Sequence, residues 1–200
     1  MIKFFKHLNI VTSHRWKVLV FSFKVGIPLN GFKHDLSKFS YTEFSRSLKY
    51  FQGVSSPILC ERMDNDLYSE VAVHHTNRNR HHFEYWIDVY KGQLVIKKMP
   101  FKYNLEYCID MISASMTYMK KDFTKDKVLN YFLERKSNYF MHPGSKEFAI
   151  KVLEEYSING FKSLKKKKLL TLYKDIMSKY EKDTILIDTN IKDFDYNYTK

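Results

Sequence analysis

Apolar residues recur every three or four positions along most of this chain, the spacing of one face of a helix. Ile10, His14, Val18 and Phe21 share such a face, and Ser13 offers a side-chain cap for a helix to about residue 25, where Gly26 and Pro28 stop it. A short segment carrying His34 and Asp35 follows. Ser40 and Glu43 then have the Ser-x-x-Glu spacing of a capping box, opening a helix that ends before Gly53. Asp64 to Asp66 introduce another helix with Leu67, Val71, His74 and His75 close to one face, leading into the polar turn at 76–80.

A looser alternation over 87–98, around Lys91-Gly92, predicts a small hairpin. Pro100 opens the next helix. Leu105, Cys108, Ile109, Ile112 and Met116 form its apolar stripe, while Asp110 shares an adjacent face with Ser113, Ala114 and Thr117, whose small size leaves room for a ligand. Further helices fit 125–137, 146–156 with Asn159-Gly160 as the stop, and 164–180. The expectation is an all-α bundle over 1–160 with one hairpin, then a lysine-rich helix and tail over 161–200. From about Asp183 that tail either docks as an extended segment or is disordered.

At 200 residues the chain can bury a substantial core without disulfides or structural zinc. Its 2 cysteines, Cys60 and Cys108, form no CxxC pair, and the residues near Met1 lack the organisation of a signal peptide, so a cytoplasmic location is expected. Arg15, Lys17 and Lys24 interrupt the apolar run around Phe21 well short of the roughly 20 residues of a membrane span. The 34 Lys plus Arg against 22 Asp plus Glu give a net charge of +12. Such a field attracts nucleotides, nucleic acid or an anionic surface without choosing among them. The lysine run at 165–168 reads first as a solvated helix face.

The candidate chemistry lies in the histidines. His14, the pair His34-Asp35 and the distant Asp110 combine imidazole nitrogens with carboxylate oxygens, the mixture that binds a divalent transition metal. A second cluster, His74-His75 and His81-His82, flanks the basic turn, and of the 8 histidines His142 alone lies beyond residue 110. Any one of these read singly is an ordinary core or surface histidine; the order His, His-Asp, Asp gives them meaning together.

That order resembles the HD-domain metallophosphohydrolases, and Lys38, in His34-Asp35-x-x-Lys38, looks like the lysine that often follows the His-Asp pair there. Longer strings are similar to an uncharacterised family of small bacterial and phage proteins, domain of unknown function 5662. These are His14-Arg15-Trp16, residues 31–40, His74-His75-x-x-Arg78-Asn79-x-His81-His82-Phe83 with Trp86, and Met141-His142-Pro143. The similarity runs over about residues 7–156, with Phe83 where that family is expected to carry tryptophan.

The HD resemblance implies an HD-like bundle holding a divalent ion (Mn, Fe, Co, Zn or Mg) on His14, His34, Asp35 and Asp110. Two-metal members add two histidines, usually farther apart than His75 and His82. One primary ion is therefore expected here, with His74, His75, His81 and His82 as ligands of a second ion, as groups around the first, or as phosphate and proton partners. The expected reaction is hydrolysis of a nucleotide or other small phosphate ester. Lys38, Arg78 and Arg80 would neutralise phosphoryl oxygens and His75 or His82 would protonate the departing oxygen, with Glu43 and Glu84 as less favoured bases. The alternatives are a nuclease or nucleic-acid-binding protein using the basic surface, a di-iron oxygenase, which requires six ligands, and a catalytically silent interaction protein. An HNH nuclease is disfavoured because no ββα frame is evident around 74–82.

Overall fold

The structure is a computed structural model that describes residues 1–53 and 56–188. Helix α1 (Ile2–Val25) is long because a single stripe, His7, Val11, His14, Val18, Ser22 and Val25, buries along its whole length. The expected start at Ser13 is incorrect. Ser13 lies mid-helix, where its hydroxyl accepts from Lys17 Nζ at 2.8 Å. Gly26, at φ 81°, terminates α1 in the left-handed conformation, its N–H reaching the carbonyls of Ser22 and Phe23.

Helix α2 (Pro28–Lys33) folds back on α1. Gly31 permits that approach, since a Cβ there would lie 2.6 Å from Ser22 Cβ and 3.0 Å from Leu19 Cα. A 3₁₀ turn (Leu36–Phe39) leads to α3 (Tyr41–Tyr50), whose first turn is capped by Ser40 accepting from Glu43 N. Helix α4 (Pro57–Asp64), absent from the expected elements, begins on a proline. Asp66 and Leu67 then take positive φ, 45° and 69°, and break the chain before α5 (Glu70–Thr76), capped by Ser69. Leu67 is thus an exposed loop residue rather than the start of the helix carrying His74 and His75.

Strands β1 (Ile87–Tyr90) and β2 (Gln93–Lys97) pair antiparallel through a two-residue turn with Lys91 and Gly92 at φ 48° and 75°, the left-handed pair that such a tight hairpin needs. After α6 (Phe101–Met119), α7 (Lys125–Arg135), α8 (Pro143–Asn159) and α9 (Lys166–Ser178), strand β3 (Thr184–Asp188) returns to pair with β2, from Gln93↔Asp188 to Lys97↔Thr184. The expected extended tail therefore docks as far as Asp188, and its remainder, 189–200, lies outside the described residues. The described residues are mostly helical, with this one small sheet.

Val18 and Val25 of α1, Leu105, Ile109 and Ile112 of α6, Phe132 of α7, and Phe148, Val152 and Leu153 of α8 meet in a single core. Leu164, Leu169 and Ile176 belong to the same core, so packing joins the segment after residue 160 to the helices before it. Lys165 to Lys168 are exposed, and Lys168 pairs with Glu155 at 3.1 Å. No helix among the described residues is long and apolar enough to cross a membrane.

Candidate metal centre

Helices α1 and α6 pack side by side and bring two distant parts of the sequence together. The buried stripe of α1 turns His14 inward, and α6 presents Glu106 and, one turn later, Asp110. His34 and Asp35 follow α2, and Asp35 takes a left-handed conformation at φ 52°. A non-glycine residue in that region carries local strain, although Asp tolerates it better than most. The turn aims the His34 ring and the Asp35 carboxylate at the same point.

The donor atoms converge. His14 Nε2 lies 3.0 Å from Asp110 Oδ1, 3.3 Å from His34 Nε2 and 3.6 Å from Asp35 Oδ2. His34 Nε2 lies 3.2 Å from Asp35 Oδ2 and 3.5 Å from Asp110 Oδ1. Four ligands at about 2.1 Å around a tetrahedral ion stand about 3.4 Å from one another, so these spacings suit a first-row divalent ion.

The other oxygen of Asp35 faces a second group. Asp35 Oδ1 is 3.3 Å from His75 Nε2 and 3.5 Å from His81 Nε2, and His82 completes a set whose donor atoms all lie within 4.8 Å of one another. Asp35 Oδ1, His81 Nε2 and His82 Nε2 are buried without any hydrogen-bond partner. Buried polar atoms rarely remain unpaired, and three such atoms converging around one space fit a cation. The residue types and spacings of each group are those that could hold a metal ion.

Two further carboxylates contact these histidines, and one of them, Glu106, forms a third, overlapping group with His34 and His81. Glu106 Oε1 accepts from His34 Nδ1 at 3.0 Å and lies 3.4 Å from His81 Nδ1, while Asn30 donates to its Oε2 at 2.7 Å. Glu43 meets His75 Nδ1 at 2.8 Å and His74 Nδ1 at 2.7 Å. Ring nitrogens fixed this way leave Nε2 free for an ion and make it a better donor. No motif in the sequence marks Glu106. Its one signal is the four-residue spacing to Asp110, which puts both on one face of α6.

Electrostatics follow from burial and close charges. Burial opposes the charged form of Asp35, yet His34, Lys38 and His75 outweigh it and hold the carboxyl well below its usual range. Asp110 is likewise lowered, with hydrogen bonds from His14 and His34 overcoming burial. Glu106 is buried too, but its bonds to His34 and His81 bring it down to about 2. For His34, burial is outweighed by the Asp35 charge and the bonds to Asp110, Asp35 and Glu106, which raise it well above the ordinary imidazole value. His82 moves the opposite way, as burial and then His81 and His75 keep its ring neutral.

Lys38 Nζ lies 2.6 Å from Asp35 Oδ2, and the Asp35 and Asp110 charges override burial to hold it protonated. The remaining candidates are not members of the donor sets. His74 is bound to Glu43. Arg78 reaches the His74 carbonyl at 3.5 Å, and Arg80 bonds the Tyr85 and Tyr103 hydroxyls while lying over both rings. Glu84 lies 3.8 Å from His82 Nδ1. No curated protein and no solved structure matches this chain. The model of the family of unknown function DUF5662 matches residues 3–155, spanning both donor groups and both carboxylates behind them, and the chain belongs to that family.

Proposed function

We propose that this protein is a metal-dependent phosphohydrolase acting on a nucleotide or another small phosphate ester, in which His14, His34, Asp35 and Asp110 would hold one divalent ion and Asp35, His75, His81 and His82 would hold a second. The observation that carries the reading is the division of Asp35, with Oδ2 toward His14 and His34 and Oδ1 toward His75 and His81. When bound, such ions would polarise a phosphoryl oxygen, acidify water toward a pKa of about 7 and clamp both ends of an in-line displacement. Imidazole-rich donors without thiolate favour Mn, Fe, Co or Zn over Mg. The residue order His14, His34-Asp35, Asp110 adds the resemblance to the HD-domain metallophosphohydrolases.

The chain's own groups divide the remaining work. Lys38 is charged, partly exposed and at the edge of the cluster, where its ammonium can meet a non-bridging phosphoryl oxygen. The neutral His82 ring suits a nitrogen donor better than a proton source. His75, tied at Nδ1 by Glu43 and facing Asp35 through Nε2, is placed in the same way. Arg80 is engaged by the hydroxyls of Tyr85 and Tyr103.

The test is phosphate release from a panel of nucleotides, generic phosphate esters and nucleic acids by metal-loaded protein. Asp35→Asn should abolish release, and Lys38→Ala should keep the metal while weakening substrate binding or turnover. A metal-loaded wild type inactive across the whole panel would contradict hydrolysis. An iron-dependent oxygenase is the second reading, favoured by the donor count: His14, His34, Asp35, Asp110, His75, His81 and His82 are seven donor residues, enough for the six ligands that a pair of irons requires. Oxygen consumption by the iron-loaded protein distinguishes the two.

A further inference from the structure

The metal centre uses one face of α1, and the opposite face carries a pattern that it does not explain. Ile2, Phe5, Trp16 and Phe23 are exposed, and with Asn9, Thr12 and Leu19 they follow the alternating three- and four-residue spacing of a stripe along the whole helix. Thr12 turns its hydroxyl back to the Leu8 carbonyl at 2.8 Å, so its polar atom is satisfied within the helix. Alpha2 widens the stripe. Phe32 packs edge-on to Phe23 with centroids 5.6 Å apart, and with Trp16, Leu19, Arg15, Thr12 and Gly31 it lines a cavity of about 160 Å³. Leu29, one turn before Phe32, is 73% exposed and Trp16 is 66% exposed. Arg15 joins Phe39 to the patch by lying 5.1 Å above its ring.

Asn9 and Thr12 separate Ile2 and Phe5 from the exposed apolar cluster of Trp16, Phe23, Leu29 and Phe32, and such a cluster marks an interaction surface. Charge indicates its occupant. Residues 1–34 contain Lys3, Lys6, Arg15, Lys17, Lys24 and Lys33 and no Asp or Glu. Two copies of such a face would repel one another, whereas an anionic partner would be attracted. Ile2 and Leu29 have no π-face for a base to stack on, and the patch lies on the outer surface of a helix rather than in a groove that tracks a nucleic-acid backbone. Exposed Trp, Phe, Leu and Ile flanked by lysines with long apolar stems is the composition of a helix face that lies in a lipid interface.

We propose that the outer face of α1 and α2 docks this protein on an anionic membrane surface, with Trp16, Phe23, Leu29 and Phe32 entering the headgroup region and Lys24 and Lys33 meeting lipid phosphates. The proposal is independent of the reaction at the metal centre, because His14 and Trp16 point to opposite sides of α1.

The test uses the full chain with sedimenting vesicles of phosphatidylcholine alone and of phosphatidylcholine mixed with phosphatidylglycerol. Wild type should sediment with the mixed vesicles and not with the neutral ones. The part of its tryptophan emission that disappears in Trp16→Phe should move to shorter wavelength on binding. Phe23→Ser with Phe32→Ser should weaken binding at least tenfold, and Lys24→Glu with Lys33→Glu should weaken it without touching the apolar residues. Circular dichroism and metal content matching wild type would show that both variants fold. Failure to sediment with anionic vesicles overturns the proposal. So does a Trp16 emission that responds only to single-stranded oligonucleotide, which assigns the face to nucleic acid, or a dimer in which Trp16 is already shielded, which assigns it to a second copy.

Discussion

Glu106 and Asp110, one turn apart on α6, address the two nitrogens of the same imidazole: Glu106 Oε1 lies 3.0 Å from His34 Nδ1, and Asp110 Oδ1 lies 3.5 Å from His34 Nε2. The carboxylate on the Nδ1 side fixes the ring for the donor set on the Nε2 side. Glu106→Gln should therefore weaken metal binding by roughly 10- to 100-fold while leaving the number of ions at saturation unchanged. Competition against a chromophoric chelator measures it. An unchanged affinity would show that Glu106 does not orient His34.

Glu43 provides a more selective probe, because it holds His75, which belongs to one donor group, and His74, which belongs to neither. Glu43→Gln should weaken one ion and spare the other, giving a biphasic titration, whereas His74→Ala should shift either affinity by less than about tenfold. Equal weakening of both ions by Glu43→Gln would contradict the division of the histidines.

Much of this centre is legible in the sequence. His14, His34, Asp35 and Asp110 stand out because their residue types and order carry the signal, and the structure brings those four into one group. The four central histidines cannot be sorted by spacing, since adjacent helical residues point about 100° apart and only the packing of α3 against α5 decides which of His74 and His75 faces Asp35. Glu43 reads as the third residue of a capping box. Its N–H does donate to Ser40, but its carboxylate turns inward to the histidines. The hairpin was readable from Lys91-Gly92, whereas the register of β3 depends on a partner about ninety residues away. Helix α4 was missed because the turn after it rests on positive φ at Asp66 and Leu67, residues that do not advertise it.

The ion should also stabilise the fold. Three buried carboxylates, Asp35, Glu43 and Glu106, and the half-buried Asp110 surround the histidines, and a ligand bound only by the native state stabilises by about 2.7 kcal/mol at one hundred times its Kd. For a domain of this size that corresponds to a Tm rise of roughly 5–10 °C per ion. Thermal unfolding with chelator and with added metal measures it. An identical Tm in both would contradict binding at this place.

His7 gives a pH dependence separate from the metal. Its ring lies 5.0 Å from those of Phe44 and Phe51, and Nδ1 lacks a hydrogen-bond partner. Burial, then the charges of Lys38 and Lys3, lower its pKa from 6.5 to about 4. On acidification the unfolded chain takes up this proton first. The contribution is thus fully present above pH 6.5 and falls away as pH drops toward about 4, by on the order of 3 kcal/mol. His7→Leu should remove that slope. Urea unfolding of both proteins with chelator present, from pH 7 to 4, tests it. A wild-type minus variant difference that stays constant across this range would contradict the assignment.

Asp35 would serve both ions, so the most direct measurement is elemental analysis of untagged wild type and Asp35→Asn, each purified without chelator and equilibrated with Mn, Fe, Co or Zn. Two ions per wild-type chain with at least one of those metals, and loss of both or nearly both in a folded Asp35→Asn, is the predicted result. No bound ion in the wild type, or the same two ions in Asp35→Asn, would contradict the shared-carboxylate centre.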